Sequence, residues 1–157
     1  MINETMISQY VPAGKPLTMF REMFAHGSLH HLWARLNRQS FRLLDLDDTL
    51  KVRPVEASYH AGIKTVSIDR IRGTQGKADE FDAEFNPTQE RSRTRWIGIA
   101  LEKLRGHDLP PVELIEVNGI YYVRDGHHRI SVSRAMEQAY IDAEVTILQL
   151  RQQDMFR

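Results

Sequence analysis

The strongest constraint on the fold is the stretch 121–134, Tyr-Tyr-Val-Arg-Asp-Gly-His-His-Arg-Ile-Ser-Val-Ser-Arg, where a strand pattern runs through a glycine into a helix pattern. The start of a helix offers backbone N–H groups without intrahelical acceptors, together with partial positive charge. Gly126 permits a close backbone approach. Arg129 adds a permanently charged, forked donor. The turn therefore predicts a binding site for phosphate or another anion.

Three further side chains of this turn have open roles. His127 and His128 can add hydrogen bonds to an anion. Asp125 can cap the helix, orient a histidine or hold a magnesium ion that bridges to phosphate. A purely structural interpretation has Asp125 as a cap and the histidines as packing. A zinc site at the two histidines is disfavoured, because adjacent helical residues do not face the same way.

Composition limits the function classes. A chain of 157 residues fits one ordinary domain, or one compact domain with an appendage. The complete lack of cysteine excludes thiol chemistry and cysteine-ligated metal. No apolar run is long enough for a membrane span, and the N-terminus lacks the pattern of a secretory signal, so we expect a cytoplasmic protein. Lys plus Arg and Asp plus Glu both total 21, which gives no indication of a polyanionic partner.

The N-terminal part is predicted to be an irregular arm followed by helix. Pro12, Gly14 and Pro16 favour the arm, and Ser28 is placed to cap a helix. Apolar residues at helical spacing follow: Leu29, Leu32, Trp33, Leu36, Leu43 and Leu44. Three arginines of this segment lie on a solvated face or contact DNA phosphates: Arg35, Arg38 and Arg42. Three histidines are either surface and packing residues or metal ligands: His26, His30 and His31.

Residues 45–62 contain turn formers and are interpreted as a connector, with a boundary near Tyr59. Alternation over Thr65–Ile71 predicts a half-buried strand. The resulting division is an N-terminal arm and helical segment, a main domain and a C-terminal tail, at 1–59, 60–150 and 151–157.

The C-terminal half alternates between helix and strand patterns. Asn86 and Pro87 resemble a helix cap with proline in the first turn, and the apolar stripe ends before Gly106. Asn118-Gly119 is a strong hairpin signal. The predicted elements are a hairpin of strands 112–117 and 120–123, a helix from His127 to about Gln138 and a last strand Ala143–Ile147. The fold class is therefore α/β in the broad sense, a mixed α+β layer structure.

An acidic loop at residues 77–85 carries four carboxylates around Phe81 and Phe85. Catalysis at the turn would require a carboxylate from elsewhere. Asp82 is the first candidate, because burial of the two phenylalanines would fix its backbone, and Glu80 is the second. The alternative is an acidic loop exposed to solvent.

The turn Asp125-Gly126-His127-His128-Arg129, with its preceding hairpin and following helix and edge strand, resembles the phosphate-binding element of the ParB/sulfiredoxin superfamily. The resemblance extends over roughly Gly62–Leu148. It implies a ParB/sulfiredoxin-like domain with a helical N-terminal extension. Members of the superfamily include partition proteins that bind cytidine triphosphate and DNA, sulfiredoxins that use ATP, and a kinase that phosphorylates free serine.

The resemblance is uneven at the turn. Sulfiredoxins have their catalytic cysteine where His127 stands, so the chain is not a sulfiredoxin. Partition proteins have Gly-Glu-Arg-Arg there, whereas the kinase branch has a turn like Asp-Gly-His-His-Arg. The resemblance implies that the protein binds a nucleotide or another phosphate compound. The implied ligand is a nucleoside triphosphate or diphosphate with magnesium. If the protein is an enzyme, the implied activity is that of a kinase or a nucleotide hydrolase. The alternatives are a DNA-associated module of the partition type and a non-catalytic interaction domain.

Overall fold

The computed structural model describes residue 12 and residues 14–76 and 79–152. Among these described residues there are four α-helices: α1 (Lys15–Asn37), α2 (Leu46–Val52), α3 (Arg93–Leu104) and α4 (His127–Ala135). The six strands are β1 (Leu44–Asp45), β2 (Val55–Ser67), β3 (Ile71–Thr74), β4 (Val112–Val117), β5 (Ile120–Asp125) and β6 (Tyr140–Leu150). Short 3₁₀ turns precede β3 and α3, at Ile68–Arg70 and Glu90–Ser92. The mixed α+β class is thereby confirmed.

All six strands form one sheet in the order β1-β3-β5-β4-β6-β2. The β1/β3, β3/β5 and β4/β6 pairs are parallel, and the β4/β5 and β2/β6 pairs are antiparallel. Because β3 and β5 are parallel neighbours, their carboxyl ends meet at one edge of the sheet. The turn at Gly126 begins at that edge.

The sheet has a packed layer on each side. Leu114 and Ile115 are consecutive residues of β4, and each belongs to a different buried cluster, as expected when side chains alternate across a strand. One cluster includes Ile130 of α4, and the other includes Leu46 of α2. A third cluster joins α1, α3 and α4 around Trp96, whose indole N–H donates to Ser131 Oγ at 2.8 Å. Helix α4 is therefore held from both sides.

The prediction for the N-terminal segment was wrong in two respects. Helix α1 begins at Lys15, where Pro16 occupies the first turn and needs no intrahelical hydrogen bond. Ser28 lies inside the helix and donates to Phe24 O rather than capping it. Gly27 lies in the helix interior, where a larger residue is disfavoured because its Cβ would lie 2.8 Å from Pro87 O.

The predicted connector at 45–62 was also wrong. Asp45 caps α2 by accepting a hydrogen bond from Asp47 N at 2.8 Å. Strand β2 then runs through the boundary predicted near Tyr59. The predicted strand Thr65–Ile71 is divided between β2 and β3 by the 3₁₀ turn.

Predictions for the C-terminal half fared better, with one correction. The Asn118-Gly119 hairpin is confirmed, with φ of 51° and 79° at its two central residues. The helix predicted from Asn86 begins only at Arg93, since Asn86 turns towards Asp82 instead. The predicted helix after Gly126 is confirmed as α4, and the last strand is longer than predicted.

Candidate functional site: the turn between β5 and α4

Gly126 shapes the turn. Its φ of 102° lies in the left-handed region, and a Cβ there would lie 2.5 Å from Val112 Cγ1. Both facts favour glycine. Helix α4 starts immediately afterwards without a side-chain cap and without an acidic residue in its first turn. The positive end of the helix dipole is therefore not neutralised by a carboxylate within the first turn of α4.

His127 and His128 face the interior rather than solvent, and both are buried. His127 Nε2 lies 2.7 Å from Thr74 Oγ1, at the end of β3. Phe81 contacts both imidazoles, with ring centroids 6.0 Å from His127 and 5.1 Å from His128. The structure thus brings the predicted turn and the predicted acidic loop together through these two histidines.

Arg129 is held by the loop that precedes β4. Its Nη1 donates to the carbonyl oxygens of Pro110 and Pro111 at 2.7 and 2.8 Å. Its Nη2 donates to Asp125 Oδ2 at 2.5 Å. The guanidinium therefore braces the turn, and the Asp125 carboxylate offsets part of its charge.

Asp82 is buried and its carboxylate is fully engaged. Oδ1 accepts from the backbone N–H groups of Glu84 and Asn86, both at 2.9 Å. Oδ2 accepts from Asn86 Nδ2 at 2.9 Å and from His30 Nδ1 at 2.8 Å. Four donors match the acceptor capacity of a carboxylate, so Asp82 organises the loop in this conformation.

Glu80 is less constrained. Its carboxylate has a partner in Arg91, whose Nη2 lies 3.3 Å from Oε1 and whose side chain is well exposed. Such an exposed ion pair is weak and exchangeable. Of the two predicted catalytic carboxylates, Glu80 is therefore the one with spare acceptor capacity.

Sequence reasoning missed Thr74 and gave His30 other roles, on a solvated face or as a metal contact. Thr74 is an ordinary strand residue in the sequence, and no pattern marks its contact with His127. His30 lies on α1 and bonds Asp82 across 52 positions of sequence, while its ring stacks on Phe41. No local pattern marks either contact, since both depend on the tertiary fold.

A cavity of about 380 Å³ adjoins the turn and shares Arg129 with it. Its wall includes Lys103, whose Nζ donates to the buried Ser133 Oγ at 2.8 Å. Burial lowers the pKa of Lys103 from its ordinary 10.5. The cavity is large enough for a small organic group.

The structure builds no metal cage in the part of the chain that it describes, since no three His, Asp or Glu side chains there are suitably grouped. A magnesium ion at the turn would take most of its ligands from phosphate oxygens and water. Asp125, the carboxylate predicted to hold it, is paired with Arg129. We therefore assign no step to magnesium.

Over the same described residues, no helix has the length and apolar character of a membrane span.

Comparisons with known proteins add a fold similarity. No protein-family model and no curated protein matches the chain. Among solved structures, the chain is similar to sulfiredoxin from Arabidopsis thaliana, with 18% sequence identity and a TM-score of 0.41. The match covers 53% of this chain and 82% of the sulfiredoxin chain. At these values the similarity concerns part of the chain's path and says nothing of activity.

Proposed function

We propose that this chain binds a phosphate-bearing ligand of the nucleotide class at the turn between β5 and α4. The observation that carries the proposal is the start of α4: a left-handed glycine leads directly into a helix whose first turn has neither a side-chain cap nor an acidic residue. Such a helix start favours an anion through its backbone N–H groups and its dipole. The parallel strand ends beside it are where ligands bind in many sheets.

The roles of the turn residues follow from their contacts. Phosphate oxygens would approach the backbone of 127–129, while the buried imidazoles of His127 and His128 support that backbone from below. Arg129 contributes positive charge and holds the Pro110–Pro111 loop in place. The organic part of the ligand would occupy the adjoining 380 Å³ cavity.

Phosphoryl transfer is a further step of the same proposal. It depends mainly on positioning and on neutralising charge. A carboxylate with spare acceptor capacity would have to approach the acceptor group, and Glu80 meets that requirement better than Asp82 does. Loss of nucleotide turnover in Glu80→Gln with unchanged nucleotide affinity would support this step, whereas unchanged turnover would exclude Glu80.

Binding can be tested by calorimetry and by NMR with ATP, ADP, CTP and inorganic phosphate, each with and without magnesium. We expect the amide signals of 127–130 to shift most. Asp125→Asn removes a negative charge at the turn and should tighten binding about three- to ten-fold, on the order of a surface charge interaction. The matched control is Asp48→Asn, which breaks another exposed pair, with Lys51, away from the turn.

Two results would overturn the proposal. One is the absence of binding by any of these ligands at millimolar concentration. The other is binding that Asp125→Asn and Asp48→Asn change equally, because the anion would then lie away from the turn.

A further inference from the structure

Helix α1 presents an exposed apolar stripe, which we name the leucine–tryptophan surface: Leu29, Leu32, Trp33 and Leu36. These side chains are between 55% and 73% exposed. Their spacing places them on one side of the helix, while Phe20 and Gly27 of the same helix are buried against the rest of the fold. Single exposed leucines are ordinary, whereas a contiguous stripe of four large apolar residues is typical of interaction surfaces.

A cavity of about 930 Å³ lies alongside this surface, between α1 and the loop at 79–89. Leu32 belongs to both features. On the α1 side the cavity is lined by His31, Arg35, Arg38 and Arg42, and on the loop side by Asp79 and Asp82. Apolar and basic groups are therefore continuous across one region of the molecule.

The charged side chains that α1 and the following segment contribute to this cavity are all positive. Residues 23–44 include three arginines and no Asp or Glu. Arg42 pairs with Asp79, but no carboxylate of the described residues pairs with Arg35 or Arg38. Two arginines beside an apolar stripe thus lack counter-charges from the chain that the structure describes.

We propose that the leucine–tryptophan surface, with Arg35 and Arg38, docks an acidic amphipathic helix of a partner protein. Three leucines at helical spacing suit the apolar face of another helix, in the manner of helix-in-groove recognition. Carboxylates flanking that face would pair with the two arginines, which gives the contact its direction and specificity.

Nucleic acid fits this region less well. Three of the four side chains of the surface are aliphatic leucines, which do not provide the planar stacking surfaces that single-stranded nucleic acids use. The net charge of the chain is zero, so no overall field attracts a polyanion. A second copy of this chain is disfavoured too, since pairing the region with itself would bring unneutralised arginines together.

Trp33 provides the measurement, because its indole is exposed whereas Trp96, the other tryptophan, is fully buried. The probe is a synthetic helical peptide with a leucine stripe flanked by glutamates. One control peptide has lysine for every glutamate, and another has a scrambled order without amphipathicity. Labelled-peptide anisotropy gives the affinity, and a blue shift of Trp33 emission reports coverage.

The expected result is binding of the acidic peptide with a blue shift, at least about ten-fold tighter than either control peptide. Leu36→Asp should weaken binding about ten-fold or more, while Ile63→Asp, at an equally exposed apolar position on β2, should not. The double variant Arg35→Glu with Arg38→Glu should reverse the preference towards the lysine peptide. Arg53→Glu is its exposed charge control.

Several results would overturn the proposal. These are equal affinity for the acidic and lysine peptides, preferential binding of a DNA oligonucleotide that the arginine variants abolish, and a concentration-dependent dimer that Leu36→Asp dissociates. Protection of Trp33 from acrylamide quenching in the free protein, lost on deletion of residues 1–11, would show that the chain covers its own surface. Urea denaturation of each variant provides an independent check of folding.

Discussion

His30 Nδ1 of helix α1 lies 2.8 Å from Asp82 Oδ2 in the loop between β3 and α3, and Asp82 is buried. A carboxylate only accepts hydrogen bonds, so Nδ1 carries the proton of this contact. The same loop contributes Phe81, which packs on His127 and His128 at the candidate site. The N-terminal helix is therefore connected to the turn through one hydrogen bond and one aromatic side chain.

Replacing His30 tests this connection. His30→Ala leaves the buried Asp82 carboxylate with one donor fewer, so we expect a loss of about 1–3 kcal/mol in the free energy of unfolding, measured by urea denaturation. His31→Ala is the matched control, because the neighbouring imidazole is exposed, and it should change stability by less than about 0.5 kcal/mol. Equal effects of the two substitutions would mean that the His30–Asp82 bond contributes nothing.

The features that sequence reasoning predicted correctly are those set by local chemistry. Asn118 and Gly119 both adopt positive φ in the hairpin, and few other residue pairs do so at low cost. Gly126 likewise marks the turn at which the strand ends and α4 begins. Such backbone requirements are recorded in the residue itself, so no tertiary information is needed.

The misplaced elements depend on contacts between distant residues. Asn86 has the residue type of a helix cap, but its amide and backbone N–H are drawn to Asp82. Pro87, the predicted first-turn proline of that helix, instead lies against Gly27 of α1. The stripe around Trp33 has the period of a core-facing helix, yet the structure buries the opposite side of α1. Periodicity identifies the stripe without stating whether this chain or a partner covers it.

The turn makes a sharp prediction about glycine. Gly126→Ala combines an unfavourable φ with a clash against Val112, so we expect a loss of about 2–5 kcal/mol in unfolding free energy. Gly106→Ala is the control: its φ of 77° is also positive, but a Cβ there would meet nothing within 4 Å. That variant should lose only about 1 kcal/mol. Similar losses in thermal or urea denaturation would show that crowding by Val112 is unimportant.

Arg129 should not be replaceable by lysine. A single ammonium group cannot reproduce the fork that reaches two proline carbonyls and Asp125, although it preserves the charge. We expect Arg129→Lys to lose about 1–2 kcal/mol and to speed amide exchange at His107–Leu109. The control is Arg70→Lys, whose exposed side chain donates to Gly119 O and lies over the Tyr121 ring, away from the His107–Leu109 loop. Unchanged exchange in Arg129→Lys would show that the guanidinium does not brace this loop.

The pH dependence of stability should reveal Lys103. Burial lowers its pKa in the folded state from 10.5. At pH values between the lowered pKa and 10.5, the unfolded chain therefore binds more protons than the folded chain does. The lysine therefore contributes a rise in stability as pH increases from the lowered folded pKa towards 10.5. Lys103→Met abolishes this contribution, so its stability relative to wild type should fall across the same window.

Lys51 provides the opposite sign. Its hydrogen bond and charge interaction with Asp48 raise the pKa of Lys51 above 10.5 in the folded protein. The contribution of Lys51 to folding stability is therefore fully present below pH 10.5, and it is lost as the pH rises through the raised pKa. Urea denaturation of wild type, Lys103→Met and Lys51→Met between neutral pH and the upper limit of folding distinguishes the two cases. Comparison with wild type cancels the titration of groups that all three proteins share. Parallel plots of stability against pH for Lys103→Met and wild type would contradict this prediction. They would mean that the Lys103 amine is solvated in the folded protein despite its hydrogen bond to Ser133.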